Sequence, residues 1–203
     1  MSWLDALSRI EDLEDAEFDA DLVADFEHRA DVAISRPIRF STPTFKEYES
    51  TELEGCGKNS FPAFSITAGE CGLNCDHCQK KILEPMIPAT NPAMLDEKVR
   101  RLIETEQLSG FLLSGGSNRK NEIPYGRYMP VVEGLKRDFP GLKIAVHTAL
   151  LDERRAKQME SAGVDNVMMD VIGAQETIEQ VYKLQRPVED FEETLAALCT
   201  TSM

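Results

Sequence analysis

Cys71, Cys75 and Cys78 form a C-x3-C-x2-C run, CGLNCDHC, directly after FPAFSITA, a stretch that reads as a buried strand entering a tight loop. A loop this short turns three thiolates toward one point, and soft thiolates select iron–sulfur or zinc over hard cations. In a four-iron cubane, three cysteine ligands leave one iron open to a small molecule. Two closed alternatives stand beside this one. A structural zinc site wants four ligands, yet His77 adjoins Cys78 and would have to bend back onto the same ion, and Cys56 lies fifteen residues upstream. A closed ferredoxin-like cluster using Cys56 is the third reading, without the local four-cysteine run of that class.

Other residues with chemical potential fall where elements end. Ser114-Gly115-Gly116 closes the run FLLSGG with Ser117 next, His147-Thr148 closes KIAVHT, and Asp170 with Gly173 closes NVMMDVIG. Each has a plain structural reading: a glycine pair for a sharp turn, a satisfied histidine, an aspartate capping the turn into a helix. Lys80, Lys81 and Arg119 would soften the charge of a thiolate-ligated cluster, or simply form a solvated face.

These residues need a scaffold, and the chain alternates strand and helix from Phe61 onward. FPAFSITA is the first strand, and a helix follows with Asn91 as N-cap and Pro92 in its first turn, facing Leu95, Val99, Leu102 and Ile103 inward. FLLSGG, KIAVHT and NVMMDVIG supply three more strands, separated by the helix VVEGLKRDF and by one that Asp152 caps and Gly163 ends. Helices over Gln175 to Leu184 and Val188 to Leu198 follow, the latter with Val188, Phe191, Leu195 and Leu198 inward. Such repetition predicts an α/β fold with a parallel sheet and right-handed crossovers, curled toward a partial (β/α) barrel. In parallel barrels the ligand site lies at the carboxyl ends of the strands, where every residue named above falls.

The cysteine spacing and its place after the first strand resemble the radical S-adenosylmethionine (radical SAM) superfamily. That resemblance implies a [4Fe-4S] cluster on Cys71, Cys75 and Cys78, with the open iron chelated by S-adenosylmethionine. Ser114, Gly115 and Gly116 stand where the family's glycine motif approaches the cofactor's amino group; the glutamate that often follows is replaced by Ser117 and Asn118. His147 would meet the cofactor carboxylate or ribose, and Asp170 a ribose hydroxyl or a substrate amine. No side chain is assigned as catalytic in its own right. The family fold is a partial (β/α)6 barrel, of which about four strand–helix units are legible here; at ~30 residues per step, the remaining length does not hold six. A short form, a truncated product, or a sheet completed by another chain would each account for this.

RPIRFSTPTFKEYE, SFPAFSITAGECGLNCDHCQKKILEPMIPA, LLSGGSNRKNEIPYG, VHTALLDE and MDVIGAQETIEQVYKL resemble the archaeal-type split lipoyl synthases, within the broad group that includes biotin synthase. The likeness spans roughly residues 36–198. It implies sulfur insertion into a protein-bound octanoyl chain, with a second radical SAM subunit, a lipoyl-carrier protein, and an electron donor such as ferredoxin or flavodoxin as partners. Sulfur donation needs an auxiliary cluster, and only Cys56 and Cys199 remain to ligate one. The alternatives are a radical SAM enzyme with another substrate and an iron–sulfur protein of electron transfer.

Composition bounds these readings. The 203 residues, 42% hydrophobic, suffice for one sizeable core. The net charge of −14 gathers at the front, where residues 1–30 hold ten acids against Arg9 and Arg29. Such a balance disfavours nucleic acid. No run reaches transmembrane length and the start lacks the marks of a signal peptide, so a cytoplasmic protein away from membranes is expected. Clustered cysteines fit metal in a reducing compartment better than disulfides. The expected organisation is an acidic N-terminal helical extension (1–35), with a helix from about Ala16 to Ala33, then an extended connector (36–60), then the core (61–203).

Overall fold

The protein is described here by a computed structural model covering residues 60–105 and 108–203. The acidic extension with its expected helix, most of the connector, and Cys56 lie outside the described residues. β1 (Ala63–Ser65), β2 (Ile87–Pro88), β3 (Gly110–Ser114), β4 (Lys143–Thr148) and β5 (Asn166–Met169) form one sheet in the order β2-β1-β3-β4-β5. All pairings are parallel. The helices are α1 (Pro92–Thr105), α2 (Met129–Asp138), α3 (Glu153–Ser161), α4 (Gln175–Gln180) and α5 (Glu189–Cys199). The α/β class and the parallel sheet match the sequence pattern.

From β2 to β5 the connections that carry α1, α2 and α3 all step across the sheet in one direction. Right-handed crossovers that never reverse direction must lay their helices on one face. The side chains agree. Phe64, Leu113, Val146 and Val167 stand in register across four strands. They share one buried cluster with Leu95 and Val99 of α1, Val132 and Leu135 of α2, and Ala156 and Met159 of α3. Each large side chain so buried contributes about 1.5–3 kcal/mol.

Alternation along a strand sends the intervening residues to the opposite face. There the rows read Ala63, Leu112, Ala145, Asn166 and Ser65, Ser114, His147, Met168. Leu112, Ala145 and Met168 belong to neither buried cluster, and Met168 is 44% exposed. One face of the sheet thus holds the core. The other carries the buried Ser65, Ser114 and Ala145, the half-buried Leu112 and, at β5, the exposed Asn166 and Met168.

Several elements depart from expectation. FPAFSITA yields a strand of only three residues, because Ala68 adopts a left-handed backbone (φ 53) just past the last sheet contact, Ile66 N–H to Ser114 O at 2.9 Å. β2 was not foreseen: two residues ending in Pro88 at a sheet edge carry no pattern. The Asn91 cap holds, its Oδ1 accepting from the Met94 N–H at 2.9 Å. So does that of Asp152, from the Arg155 N–H at 2.8 Å. Gly163, with φ 88, ends the third helix region as expected. α4 stops at Gln180, short of Leu184. In α5, Phe191, Thr194 and Ala197 face inward, while Leu195 is 40% exposed. Thr194 can take an inward position because its hydroxyl meets both the N–H and the C=O of Leu151 at 3.2 Å. Among the described residues no helix is long and apolar enough to cross a membrane.

Candidate functional site

The cysteine loop leaves β1 and is bent by three non-glycine residues in left-handed conformation, Ala68, Gln79 and Lys80. Each costs roughly 1 kcal/mol, so the loop's shape must be held by contacts. The Ser65 hydroxyl donates to Ala68 O at 2.6 Å, and the Gln79 N–H to Cys75 O at 2.9 Å. Cys75 and Leu73 are buried in a second apolar cluster with Leu150, Ile172, Ile178, Leu184 and Phe191, against which Cys71 and Cys78 pack.

The end of β3 locks onto this loop. Gly116 N–H donates to Thr67 Oγ1 at 2.7 Å, Gly72 N–H to Ser117 O at 2.6 Å, and Cys71 Sγ to Ser117 O at 3.7 Å. A Cβ on Gly116 would overlap Glu70 O and stand 2.6 Å from Cys71 Cα. A Cβ on Gly115 would meet Ile66 Cγ1 at 2.8 Å. The glycines therefore admit this chain's own cysteine loop. Thr67, which ties the two segments, gave no signal in the sequence.

The three thiols sense one another without converging. The Cys75 thiol is pushed up to about 11 by burial first, then by the charge its thiolate would meet from Cys78 and Cys71. Among the described residues no three Cys, His, Asp or Glu side chains stand together tightly enough to hold a metal ion. Cys71 and Cys75 instead point their thiols at the carbonyls of Ser117 and Tyr182, each at 3.7 Å. Cys199 is exposed at the end of α5.

His147 and Asp170 meet at the carboxyl ends of β4 and β5, with His147 Nε2 3.7 Å from Asp170 Oδ1. That is an ion-pair distance, too long for a hydrogen bond. The carboxyl of Asp170 is held below the usual range by His147 first, against its own partial desolvation, with further help from the Tyr182 hydroxyl. Tyr182 donates to Asp170 Oδ2 at 3.4 Å, and its ring lies 4.7 Å from that of His77. Burial and the neighbouring Asp170 push the Tyr182 phenol up to about 12, so it remains a donor at neutral pH.

His147 is also fixed from behind. Tyr125, buried in the core, donates its hydroxyl to His147 O at 2.6 Å, and burial pushes its phenol far up. Lys81 and Arg119 are exposed, as a solvated face would be. The structure thus brings Cys75, His77, Tyr182, Asp170 and His147 into one chain of neighbours, and Ser114, Gly115 and Gly116 against the other side of the cysteine loop. Tyr182 was missed because nothing in the spacing links it to a loop a hundred residues earlier. No protein-family model matches the chain, and no curated protein matches it in sequence.

Proposed function

We propose that this chain is a radical SAM iron–sulfur enzyme, with Cys71, Cys75 and Cys78 holding a [4Fe-4S] cluster and the adjoining strand ends binding S-adenosylmethionine. The observation that carries the reading is the close union of a three-cysteine loop with the Gly115-Gly116 end of the neighbouring strand, at the carboxyl edge of a parallel sheet. The donor set fits such a group in kind, three soft ligands on one loop, and to meet one ion the Cys71 and Cys75 thiols would turn from the Ser117 and Tyr182 carbonyls that they now face. The chemistry a bound cluster supplies is one-electron reductive cleavage of S-adenosylmethionine, giving an adenosyl radical that takes hydrogen from an unactivated carbon.

The chain's own residues would bind and shield. Asp170, ionised at neutral pH, suits a ribose hydroxyl or an amine, and His147 beside it can donate to a carboxylate. The face of the sheet opposite the main core carries the small Ala63 and the buried Ala145, bordered by Leu112 and the exposed Met168, a surface that suits an apolar chain. A partial (β/α) barrel is the architecture this sheet would belong to, since barrels also keep their helices on one face.

The reaction we assign is sulfur insertion into a protein-bound octanoyl chain, as a lipoyl synthase subunit in the cytoplasm. It would act with a second radical SAM subunit, which would supply the sulfur because Cys56 and Cys199 are too few to hold a second cluster here, and with a lipoyl-carrier protein and a ferredoxin- or flavodoxin-like electron donor. The test is anaerobic reconstitution with iron and sulfide, reduction with dithionite, addition of S-adenosylmethionine and an assay of 5′-deoxyadenosine. Its formation supports the reading. A reconstituted cluster that yields none, with an octanoylated carrier and the partner subunit present, overturns it in favour of electron transfer.

A further inference from the structure

We propose that Tyr182 is a positioning residue that straps the cysteine loop to the far end of the sheet, an inference that rests on the metal-site reading above. β1 and β5 are three places apart in the sheet order, about 14 Å at the usual strand spacing. The loops that follow them nonetheless meet. Asp76 N–H donates to Val181 O at 2.9 Å, and Lys183 Nζ lies 2.8 Å from Asp76 Oδ2. The Tyr182 ring packs on His77, its hydroxyl reaches Asp170, and Leu184 is buried in the same cluster as Leu73 and Cys75. Four consecutive residues, 181–184, thus engage the loop.

The early end of α4 makes this possible. Had the helix run on beyond Leu184, the carbonyl of Val181 would have been committed to the Gln185 N–H. The left-handed backbone of Lys183 (φ 55) breaks the helix instead. The freed carbonyl of Val181 then receives the Asp76 N–H, which satisfies one of the acceptors every helix end leaves over. The contact of Cys75 Sγ with Tyr182 O belongs to the protonated thiol and ends when that sulfur ligates metal. The other ties do not depend on it. The Tyr182 side chain touches both His77 in the cysteine loop and Asp170 after β5, and so sets the separation between the two halves of the site.

The test compares wild type, Tyr182→Phe and Tyr182→Ala, first by amide hydrogen exchange without metal. Tyr182→Ala is expected to raise exchange at residues 75–79 at least tenfold with β3 and β4 unchanged. Tyr182→Phe keeps the ring on His77 and is expected to raise exchange only around Asp170. After reconstitution, the paramagnetic resonance spectrum of the reduced cluster should shift in Tyr182→Ala and return to the wild-type form in Tyr182→Phe. Wild-type exchange and spectrum in Tyr182→Ala would overturn the strap. Should that variant also lose protection in β3 and β4, Tyr182→Leu, which keeps bulk without the ring, is judged by the same criterion. Wild type that takes up no iron refutes the metal reading, while exchange in the metal-free protein still decides the strap.

Discussion

Gly116 and Cys71 approach so closely that a Cβ on the glycine would stand 2.6 Å from the cysteine Cα. The neighbour is backbone, so it cannot swing aside as a side-chain tip would. Gly116→Ala should therefore displace the cysteine loop and destabilise the protein by about 1–3 kcal/mol, the usual cost of overpacking. Gly141→Ala is the control, because nothing lies within 4 Å of its added methyl. Chemical denaturation would show the difference in midpoint, and iron uptake should fall only in Gly116→Ala. Equal stability of the two variants would mean that the loops are not pressed together at this point.

The described cysteines divide into two classes by position. Cys71, Cys75 and Cys78 share the loop and its apolar cluster, whereas Cys199 is exposed at the end of α5. Cys75→Ala should abolish iron uptake and the visible absorption of the reconstituted protein, and Cys199→Ala should leave both unchanged. A normal cluster in Cys75→Ala refutes the assignment of the metal site.

Strand ends were legible in the sequence because apolar runs closed by Gly, His-Thr or Asp mark where a buried strand meets a loop, and Ser114, His147 and Asp170 all fall there. The caps Asn91 and Asp152 were equally plain, since a side-chain acceptor three residues before a helical N–H is a local signal. What stayed hidden was tertiary. Leu195 is exposed where an inward place is expected of it, and Thr194 turns inward because the Leu151 backbone offers its hydroxyl a donor and an acceptor. Tyr182 reads as the tail of an amphipathic helix until the break at Lys183 turns its backbone toward Cys75. The glycine pair is expected to face a ligand; the side that a Cβ would occupy meets Glu70, Cys71 and Ile66, a close approach of the cysteine loop that no local pattern announces.

Asp165 joins the start of β4 to α2. Its carboxylate accepts from Ile144 N–H at 2.8 Å, Lys136 Nζ at 2.9 Å and Lys143 Nζ at 3.1 Å. Burial opposes its ionisation, but these donors outweigh it and hold the carboxyl below the usual range. Asp165→Ala strands the Ile144 N–H and leaves the Lys136 ammonium with the Leu142 carbonyl alone, and should cost about 1–3 kcal/mol. Asp165→Asn, which still accepts from Ile144, should cost less. Equal losses in the two, measured by denaturation at neutral pH, would show that the charge contributes nothing.

Glu160 tethers the last residues to α3. Its Oε1 accepts the Ser202 N–H at 2.7 Å and the Ser202 hydroxyl at 2.9 Å, and its Oε2 lies 3.1 Å from Lys157 Nζ. The Ser202 N–H first, then Lys157 and the Ser202 hydroxyl, hold the carboxyl down to about 2 from an ordinary 4.5. A depressed folded value means that the tether is fully present above the ordinary value and is lost as pH falls from there through about 2. The amide proton of Ser202 should accordingly titrate in an NMR pH series with a midpoint near 2, and the transition should vanish in Glu160→Gln. A midpoint near 4.5 would mean that the carboxylate gains nothing from the contact and that residues 200–203 are held to α3 by other means.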